Sequence, residues 1–114
     1  VGVVAADVTG VGSSRKYLAA CSYGEDKGIF GFGSVTPDTA VTNLVSNVGV
    51  VATDTAGVGT ARSQLQACEY AYDKGIFCYG SSADSNLVSN TGVVATDVTS
   101  VGTLKSELGA CSYN

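Results

Sequence analysis

The sequence predicts an all-β fold of tandem four-stranded antiparallel sheets, with two complete units and a partial one. The first observation is an internal repeat: the sequence pattern of residues 48–90 also occurs in residues 1–47 and begins again in residues 91–114. The second is composition, since short runs of β-branched and aromatic residues alternate with glycines, as in strands joined by tight turns. The third is the lack of an apolar stripe at helical spacing. We expect one repeat domain over residues 1–114.

Identical residues fix the register of the three copies. Each copy opens with Gly-Val-Val-Ala and later carries a leucine two residues before an Ala-Cys pair. Equivalent residues lie 47 and then 43 positions apart. The difference falls between Ser34 and Asn43, where the first copy has four additional residues, including Pro37. We expect an exposed loop there, because surface loops tolerate insertions.

Four strands are predicted for each complete copy. Small residues follow a leucine in the first strand, Ile-Phe marks the second, Asn-Leu-Val the third, and Val-Val-Ala the fourth. Glycine-rich turns between them favour an antiparallel meander. In that order, the predicted ranges are residues 17–22, 64–70 and 107–113; 28–33 and 75–80; 42–46 and 86–89; and 3–7, 50–54 and 93–97.

Four strands in a period of roughly 40 to 50 residues are typical of a β-propeller blade. Little volume is free near a propeller axis, which suits the small residues of the first strand, and the phenylalanines of the second strand then pack between sheets. A stacked β-solenoid is the less favoured alternative, because the strands are short and turn glycines are frequent.

A sequence family accounts for this pattern. Arginine precedes a small-residue strand in residues 61–68, and after a short turn residues 73–80 read Asp-Lys-Gly-Ile-Phe-Cys-Tyr-Gly. This stretch resembles a degenerate kelch repeat, and the chain is similar to repetitive kelch-like arrays in phage and bacterial proteins of unassigned role. It departs from the kelch pattern in lacking tryptophan and an intact Gly-Gly pair. The resemblance implies a propeller scaffold for binding or structure, with no particular ligand.

The number of copies favours assembly. A closed propeller needs at least about four blades, so two complete units and a remainder leave a sheet face and strand edges without partners. We expect several copies to assemble into a ring or filament, or the residues to be a segment of a longer chain. A free monomer is less favoured. The missing initiator Met favours a processed chain or a piece of a longer array.

Charge and composition argue against several classes of function. The net charge is −4, and the six basic residues form no basic stripe, so we expect no nucleic-acid partner. Histidine is absent, which excludes a Ser-His-Asp triad and ordinary zinc or haem sites. No apolar run approaches the roughly 20 residues of a membrane span, and no signal peptide is visible. We expect no enzyme activity and no cofactor.

The cysteines suggest a core position and one candidate disulfide. Cys21, Cys68 and Cys111 share a repeat position and are interpreted as small core residues. Cys78 lies on the predicted second strand, and Cys68 and Cys78 are symmetric about Asp73 in the hairpin turn. A Cys68–Cys78 disulfide and two free thiols are both compatible with this symmetry. A disulfide would indicate an oxidising compartment.

Charged residues recur at two repeat positions. We interpret them as contacts between units, in which each base pairs with an acid of a neighbouring unit. Two functional alternatives remain open, a ligand-binding face formed by the bases and a calcium site formed by the acids, although an Asx-turn is the favoured role for the acids. The bases are Arg15, Arg62 and Lys105, and the acids are Asp7, Asp54 and Asp97.

The favoured function is a non-enzymatic structural or adhesive protein that works as an assembled array, outside the cell or on a virion. Its expected partner is more of itself. The alternative is a lectin-like propeller module that binds a carbohydrate or small ligand, in which Tyr23, Tyr70, Tyr72 and Tyr79 stack on sugar rings. A glycan is the expected partner only in that alternative.

Overall fold

The computed structural model describes residues 2–113, so Val1 and Asn114, at the ends of the first and third copies, lie outside the described residues. Six strands form two three-stranded antiparallel sheets, in the orders β1-β2-β3 and β4-β5-β6. The all-β antiparallel prediction is confirmed. The strands are β1 (Ala19–Tyr23), β2 (Lys27–Gly31), β3 (Thr42–Val45), β4 (Gln66–Tyr70), β5 (Lys74–Cys78) and β6 (Ser85–Val88).

The two sheets repeat one register. Ala19 pairs with Gly31 and Tyr23 with Lys27 in the first hairpin, and Gln66 pairs with Cys78 at the equivalent place in the second. Each hairpin turns through three residues, the first two of which have positive φ angles in both copies. The same β-branched and aromatic runs therefore give the same strands, which begin and end within about two residues of the predicted ranges.

The predicted fourth strand is not a continuous strand. Val51 forms an antiparallel bridge with Val45, and Thr55 forms one with Thr42, so the outer segment has one residue more than β3 between the bridges. An additional residue on one side of a ladder is a β-bulge, and it interrupts regular pairing. The range 93–97 behaves in the same way against β6. Each sheet thus has three strands and a bridged outer segment.

The predicted strands at residues 3–7 and 107–113 are also absent as strands. Residues 3–7 are equivalent to segments that bridge to β3 or β6, and residues 107–113 are equivalent to β1 and β4. Among the described residues, no third strand precedes residues 3–7 and no second strand follows residues 107–113. Each range therefore lacks the neighbouring strand on which pairing depends. Below, the first unit is residues 11–55, the second unit residues 58–98, and the third segment residues 101–113.

The core lies between the two units, where opposite faces of equivalent sheets meet. The first unit contributes Ala19, Ile29 and Phe32, and the second contributes Leu65 and Phe77; all are buried. The rings of Phe32 and Phe77 meet edge to face with centroids 5.1 Å apart. Leu65 and Phe77 are equivalent to Leu18 and Phe30, which lie on the other face of the first sheet. The contact is therefore head to tail along the chain.

The insertion of the first copy forms a loop that touches the second unit. Val35, Thr36 and Pro37 are exposed, in agreement with the predicted loop, and the Thr36–Pro37 peptide is cis. The carboxylate of Asp38 accepts hydrogen bonds from the hydroxyls of Ser63 (3.1 Å) and Ser81 (3.2 Å). The insertion thus adds a polar contact between the units.

Candidate functional site

A cluster of polar side chains joins the end of the first unit to its beginning. The carboxylate of Asp54 accepts hydrogen bonds from the Ser13 hydroxyl (2.6 Å) and from Nδ2 of Asn43 (2.8 Å). Nη2 of Arg15 donates to Oδ1 of Asn43 (2.5 Å), and Nη1 of Arg15 lies 3.9 Å from Asp54. Nε of Arg15 donates to the carbonyl of Phe32 (2.9 Å). We call this arrangement the Asp-Asn-Arg cluster.

The second unit has an equivalent cluster. Asp97 accepts from the Thr60 hydroxyl (2.6 Å) and from Nδ2 of Asn86 (2.9 Å), and Nε of Arg62 donates to the carbonyl of Tyr79 (2.8 Å). One bond differs, because Nη2 of Arg62 points to a backbone carbonyl of β5. As a result, Oδ1 of Asn86 does not receive the hydrogen bond that Oδ1 of Asn43 receives from Arg15. It is buried without a hydrogen-bond partner among the described residues.

The sequence makes room for each cluster with a Val-Gly pair. Gly12 has a φ of +79°, and a Cβ added there would lie 2.9 Å from Nδ2 of Asn43 and closer still to Asp54. Gly59 is in the same position against Asn86 and Asp97. Only glycine combines this conformation with such a close approach, which explains the repeated glycine just before the hydroxyl residue.

The hydrogen bonds stabilise the ionised carboxylates. The Ser13 hydroxyl is the main cause of a lowered pKa for Asp54, followed by the Asn43 amide. For Asp97 the Thr60 hydroxyl is the main cause of the lowered pKa, and burial opposes it. Burial lowers the pKa of Arg62, because a guanidinium loses hydration in the core. The first cluster thus contains an ion pair between Arg15 and Asp54. In the second cluster, hydrogen bonds hold the Asp97 carboxylate and the Arg62 guanidinium in place separately.

Four of the six repeated charges lie in these clusters: Arg15, Asp54, Arg62 and Asp97. Arg15 belongs to the first copy and Asp54 to the second, but both lie in the first unit, because the boundary between sequence copies cuts through the folded unit. Asp7 is exposed. Nζ of Lys105 donates to the carbonyl of Thr103 (3.4 Å) at the start of the third segment.

Sequence reasoning missed Asn43 and Asn86. Both are buried at the centre of the cluster, where they connect the acid to the outer bridged segment through the carbonyls of Ala52 and Ala95. A signal was present: asparagine is disfavoured inside strands, yet Asn-Leu-Val-Ser-Asn recurs unchanged at the third strand. A polar residue retained there indicates a side-chain role.

A second repeated arrangement joins one unit to the next. The N–H of Gln64 donates to the carbonyl of Tyr17 (3.0 Å), and the N–H of Glu107 donates to the carbonyl of Gln64 (3.2 Å). These three residues are equivalent in the repeat, and all have positive φ angles between 54° and 58°. The unusual backbone conformation is thus reproduced in all three copies, where it aligns the hydrogen bonds that connect them.

A second pair of backbone bonds and a cation–π contact accompany this ladder. Gly33 donates to the carbonyl of Arg62 (2.9 Å), and Gly80 donates to that of Lys105 (2.9 Å). The guanidinium carbon of Arg62 lies 4.4 Å from the ring centroid of Phe32. Nζ of Lys105 lies 4.9 Å from the ring centroid of Tyr79. The third segment therefore makes the same contacts with the second unit that the second unit makes with the first.

The four cysteines are free thiols. The predicted disulfide partners are not opposite each other, because Cys68 pairs with Ile76 and Cys78 with Gln66. Cys78 instead directs its Sγ at the carbonyl of Gln66, 3.7 Å away. Burial raises the pKa of Cys21 to about 11 and raises those of Cys68 and Cys78. The interpretation of the shared position as core fits Cys21 and Cys68 better than Cys111, which is exposed.

The tyrosines considered for sugar stacking are not equivalent. Tyr23 is buried, and the hydroxyl of Tyr79 donates to the carbonyl of Val101 (3.0 Å). Tyr70 and Tyr72 line one cleft with Tyr113, Glu69 and Ser112. Tyr72 is 79% exposed and Tyr113 is 93% exposed, so this cleft presents aromatic surface to solvent.

Two kinds of site are not found in the part of the chain that the structure describes. Residues 2–113 contain no group of three or more His, Cys, Asp or Glu side chains placed to hold a metal ion. The same residues contain no helix with the length and apolarity that crossing a membrane requires. Compared with known proteins, the chain matches no family model and no curated sequence.

Proposed function

We propose that this chain is a non-enzymatic structural protein whose repeat units stack face to face into an extended array, with copies of itself as its partner. The main support for this proposal is that backbone hydrogen bonds and a cation–π contact between the first and second units recur between the second unit and the third segment. An interface that joins equivalent units through different faces can repeat from unit to unit, unless the array closes on itself.

In this proposal each unit is a kelch-like blade. The bridged segments at residues 50–55 and 93–98 act as the fourth strands, and the Asp-Asn-Arg clusters fasten them to the beginning of their own unit. Small residues on β1 and β4 support this arrangement, because these strands contact each other between the units. Whether the array closes as a propeller ring or continues as a filament depends on the rotation from one unit to the next.

Measurement of molar mass over a wide range of protein concentration tests the assembly of separate copies. Light scattering after size exclusion should give a mass that rises with concentration above the 11.4 kDa of one chain. Electron microscopy of the concentrated sample then distinguishes rings from filaments. A constant mass of one chain at every concentration would contradict assembly between separate chains.

A carbohydrate-binding module is the second candidate, and the cleft with Tyr70, Tyr72 and Tyr113 favours it. Aromatic faces stack on sugar rings, and the carboxylate of Glu69 could accept hydrogen bonds from sugar hydroxyls, although it already accepts one from Ser22. A glycan array with the purified chain tests this function. Binding that disappears in Tyr72→Ala would support it, and no binding to any glycan would contradict it.

A further inference from the structure

We propose that the outer face of the first unit binds another repeat unit of the same type, specifically one with glycine at the position of Gly31. We call this surface, formed around Leu18 and Phe30, the free face. The inference rests on the proposed function and adds to it the identity of the binding surface and of the unit that fits it.

The free face carries the same residues that the second unit buries. Leu18 is 36% exposed and Phe30 39% exposed, whereas their equivalents Leu65 and Phe77 are 1% and 0% exposed. The difference comes from the neighbour, because Leu65 and Phe77 pack on the first unit and nothing of the described chain covers Leu18 and Phe30 in the same way. The side chains required for the contact are therefore already present.

Two repeated glycines point to the same partner, because their equivalents in the second copy lie against the first unit. Gly57 comes so close to Ala40 that an added Cβ would lie 2.8 Å from the Ala40 Cβ. Its equivalent, Gly10, has open space around it and no positive φ, so neither backbone conformation nor a neighbour within the described chain requires glycine there. Gly75, which lies against Cys21, likewise has Gly28 as its equivalent. A second unit packed on the free face would account for both glycines.

Charge also fits the proposed neighbour. Ser63, which donates to Asp38 of the first unit, is replaced on the free face by Lys16. A unit of the first type would bring its Asp38 carboxylate towards the Lys16 ammonium. An Asp38–Lys16 ion pair would then take the place of the hydrogen bond between Asp38 and Ser63.

The position of Gly31 decides which units fit. A Cβ added to Gly31 would lie 2.7 Å from Cζ of Phe77, so the ring of the next unit occupies the space of a side chain. The second unit has Cys78 at this position. The face of the second unit that carries Cys78, which is opposite to its Phe77 face, therefore accepts a phenylalanine of the next unit less well than the equivalent face of the first unit does. The free face thus selects a unit of the first type over one of the second type.

An extended chain tests the proposal. A further copy of residues 11–47 is placed directly before Val1, where the new Asn47–Val1 junction repeats the natural Asn47–Val48 junction and residues 1–10 replace the equivalent 48–57. In the unextended chain, Phe30→Ala should lower the urea midpoint much less than Phe77→Ala does. In the extended chain the two shifts should become similar, and the Tyr17 amide should gain protection from hydrogen exchange comparable to that of Gln64.

A matched control carries Gly31→Cys in the added copy only. It should restore the small Phe30→Ala shift and reduce protection of the Tyr17 amide. Lys16→Glu should lower the midpoint more in the extended chain than in the unextended chain. A Phe30→Ala shift that stays small in the extended chain would overturn the proposal. An added copy that remains unfolded while the Gln64 amide stays protected would also overturn the proposal. A Gly31→Cys control that behaves like the version with glycine would contradict the preference for a unit of the first type.

These outcomes are independent of the mass measurement for the proposed function. A covered free face in the extended chain, together with a constant mass of one chain for the unextended protein, would support the partner unit and contradict assembly of separate copies. Assembly that persists in the unextended Phe30→Glu variant would instead support the array and contradict the free face as its binding surface.

Discussion

Asp97 is the residue on which the second cluster depends, since it accepts hydrogen bonds from a backbone N–H, a hydroxyl and an amide. Asp97→Ala should lower the free energy of unfolding by about 1 kcal/mol, because the donors of Thr60 and Asn86 lose their acceptor while partial exposure lets water replace some of the bonds. Urea denaturation followed by circular dichroism measures the change.

Asp7 provides the matched control, because it is equivalent to Asp97 in the repeat and is exposed. Asp7→Ala should leave the urea midpoint nearly unchanged, as surface substitutions usually do. Equal losses in the two variants would show that the cluster contributes nothing beyond local turn formation at these acids.

The cysteines allow a second prediction at this scale. With its pKa raised to about 11 by burial, Cys21 has roughly one thiolate per thousand molecules at pH 8. Iodoacetamide should therefore modify exposed Cys111 well before Cys21 in the folded chain, and peptide mass spectrometry gives the order. In urea the two rates should converge. Equal rates in the folded chain would mean that Cys21 is not protected by the fold.

Sequence predicts single residues unevenly. Arg15 and Asp54 could be expected to meet an opposite charge, because repeated charges at fixed spacing suggest pairing. The central Asn43 could not be assigned a partner, since Arg15 and Asp54, which both bond to its amide, lie far apart in the chain. Pairing of Cys68 and Cys78 depended on hairpin register, and an offset of two residues separates them.

At the scale of elements, the two hairpins differ at one informative position. Gly24 and Ala71 are equivalent turn residues with φ angles of 56° and 52°. A Cβ is unfavourable in this conformation, so Ala71→Gly should raise the free energy of unfolding by about 0.5–1 kcal/mol, after allowance for the greater freedom of glycine in the unfolded chain. Thermal or urea unfolding measures it.

The reverse substitution is the control for that prediction. Gly24→Ala should destabilise the chain, both because of the positive φ and because the new Cβ would lie 2.7 Å from the carbonyl oxygen of Asn90. A destabilising Ala71→Gly would indicate that the alanine side chain contributes packing that outweighs its backbone strain.

Strands β1 to β6 could be predicted because their residue types and glycine boundaries are local properties. The outer segments could not be predicted in the same way, because the one-residue bulge between Val51 and Thr55 depends on how they meet β3. Residues 107–113 carry nearly the sequence of β1, yet form no strand. Their case shows that this sequence becomes a strand when a second strand lies beside it.

At the scale of the molecule, the lowered carboxylate pKa values predict acid sensitivity. Asp26, Asp54, Asp73, Asp84 and Asp97 all bind protons less readily in the folded chain than in the unfolded chain. Their stabilising effect is therefore complete above the unfolded pKa of about 4 and is lost as the pH falls through the lower folded values.

The melting temperature should accordingly be nearly constant from pH 7 to 5 and fall below about pH 4. Circular dichroism at a series of pH values measures it, and Asp97→Asn should make the fall shallower. The opposite result, a melting temperature that rises on acidification, would mean that relief of the net charge of −4 outweighs the loss of these hydrogen bonds.

The arrangement of the units could be predicted only in part. Apolar residues on both faces of each sheet, such as Ile29 and Phe30, indicate that both faces can be covered. Which face meets which depends on fine shape, as the close approach of Phe77 to Gly31 shows. Such contacts between residues far apart in sequence have no local signature.

Because each unit uses opposite faces for its two contacts, a stack of units has a polarity. A two-fold dimer places the same surface on both sides of its contact, so this interface cannot form one, and any stack built through it has chemically different ends. One end presents Leu18 and Phe30, and the other presents Tyr79, whose ring lies under Lys105 of the third segment. A molecule that recognises one end would leave the other untouched, so growth, capping and attachment can be controlled separately at the two ends.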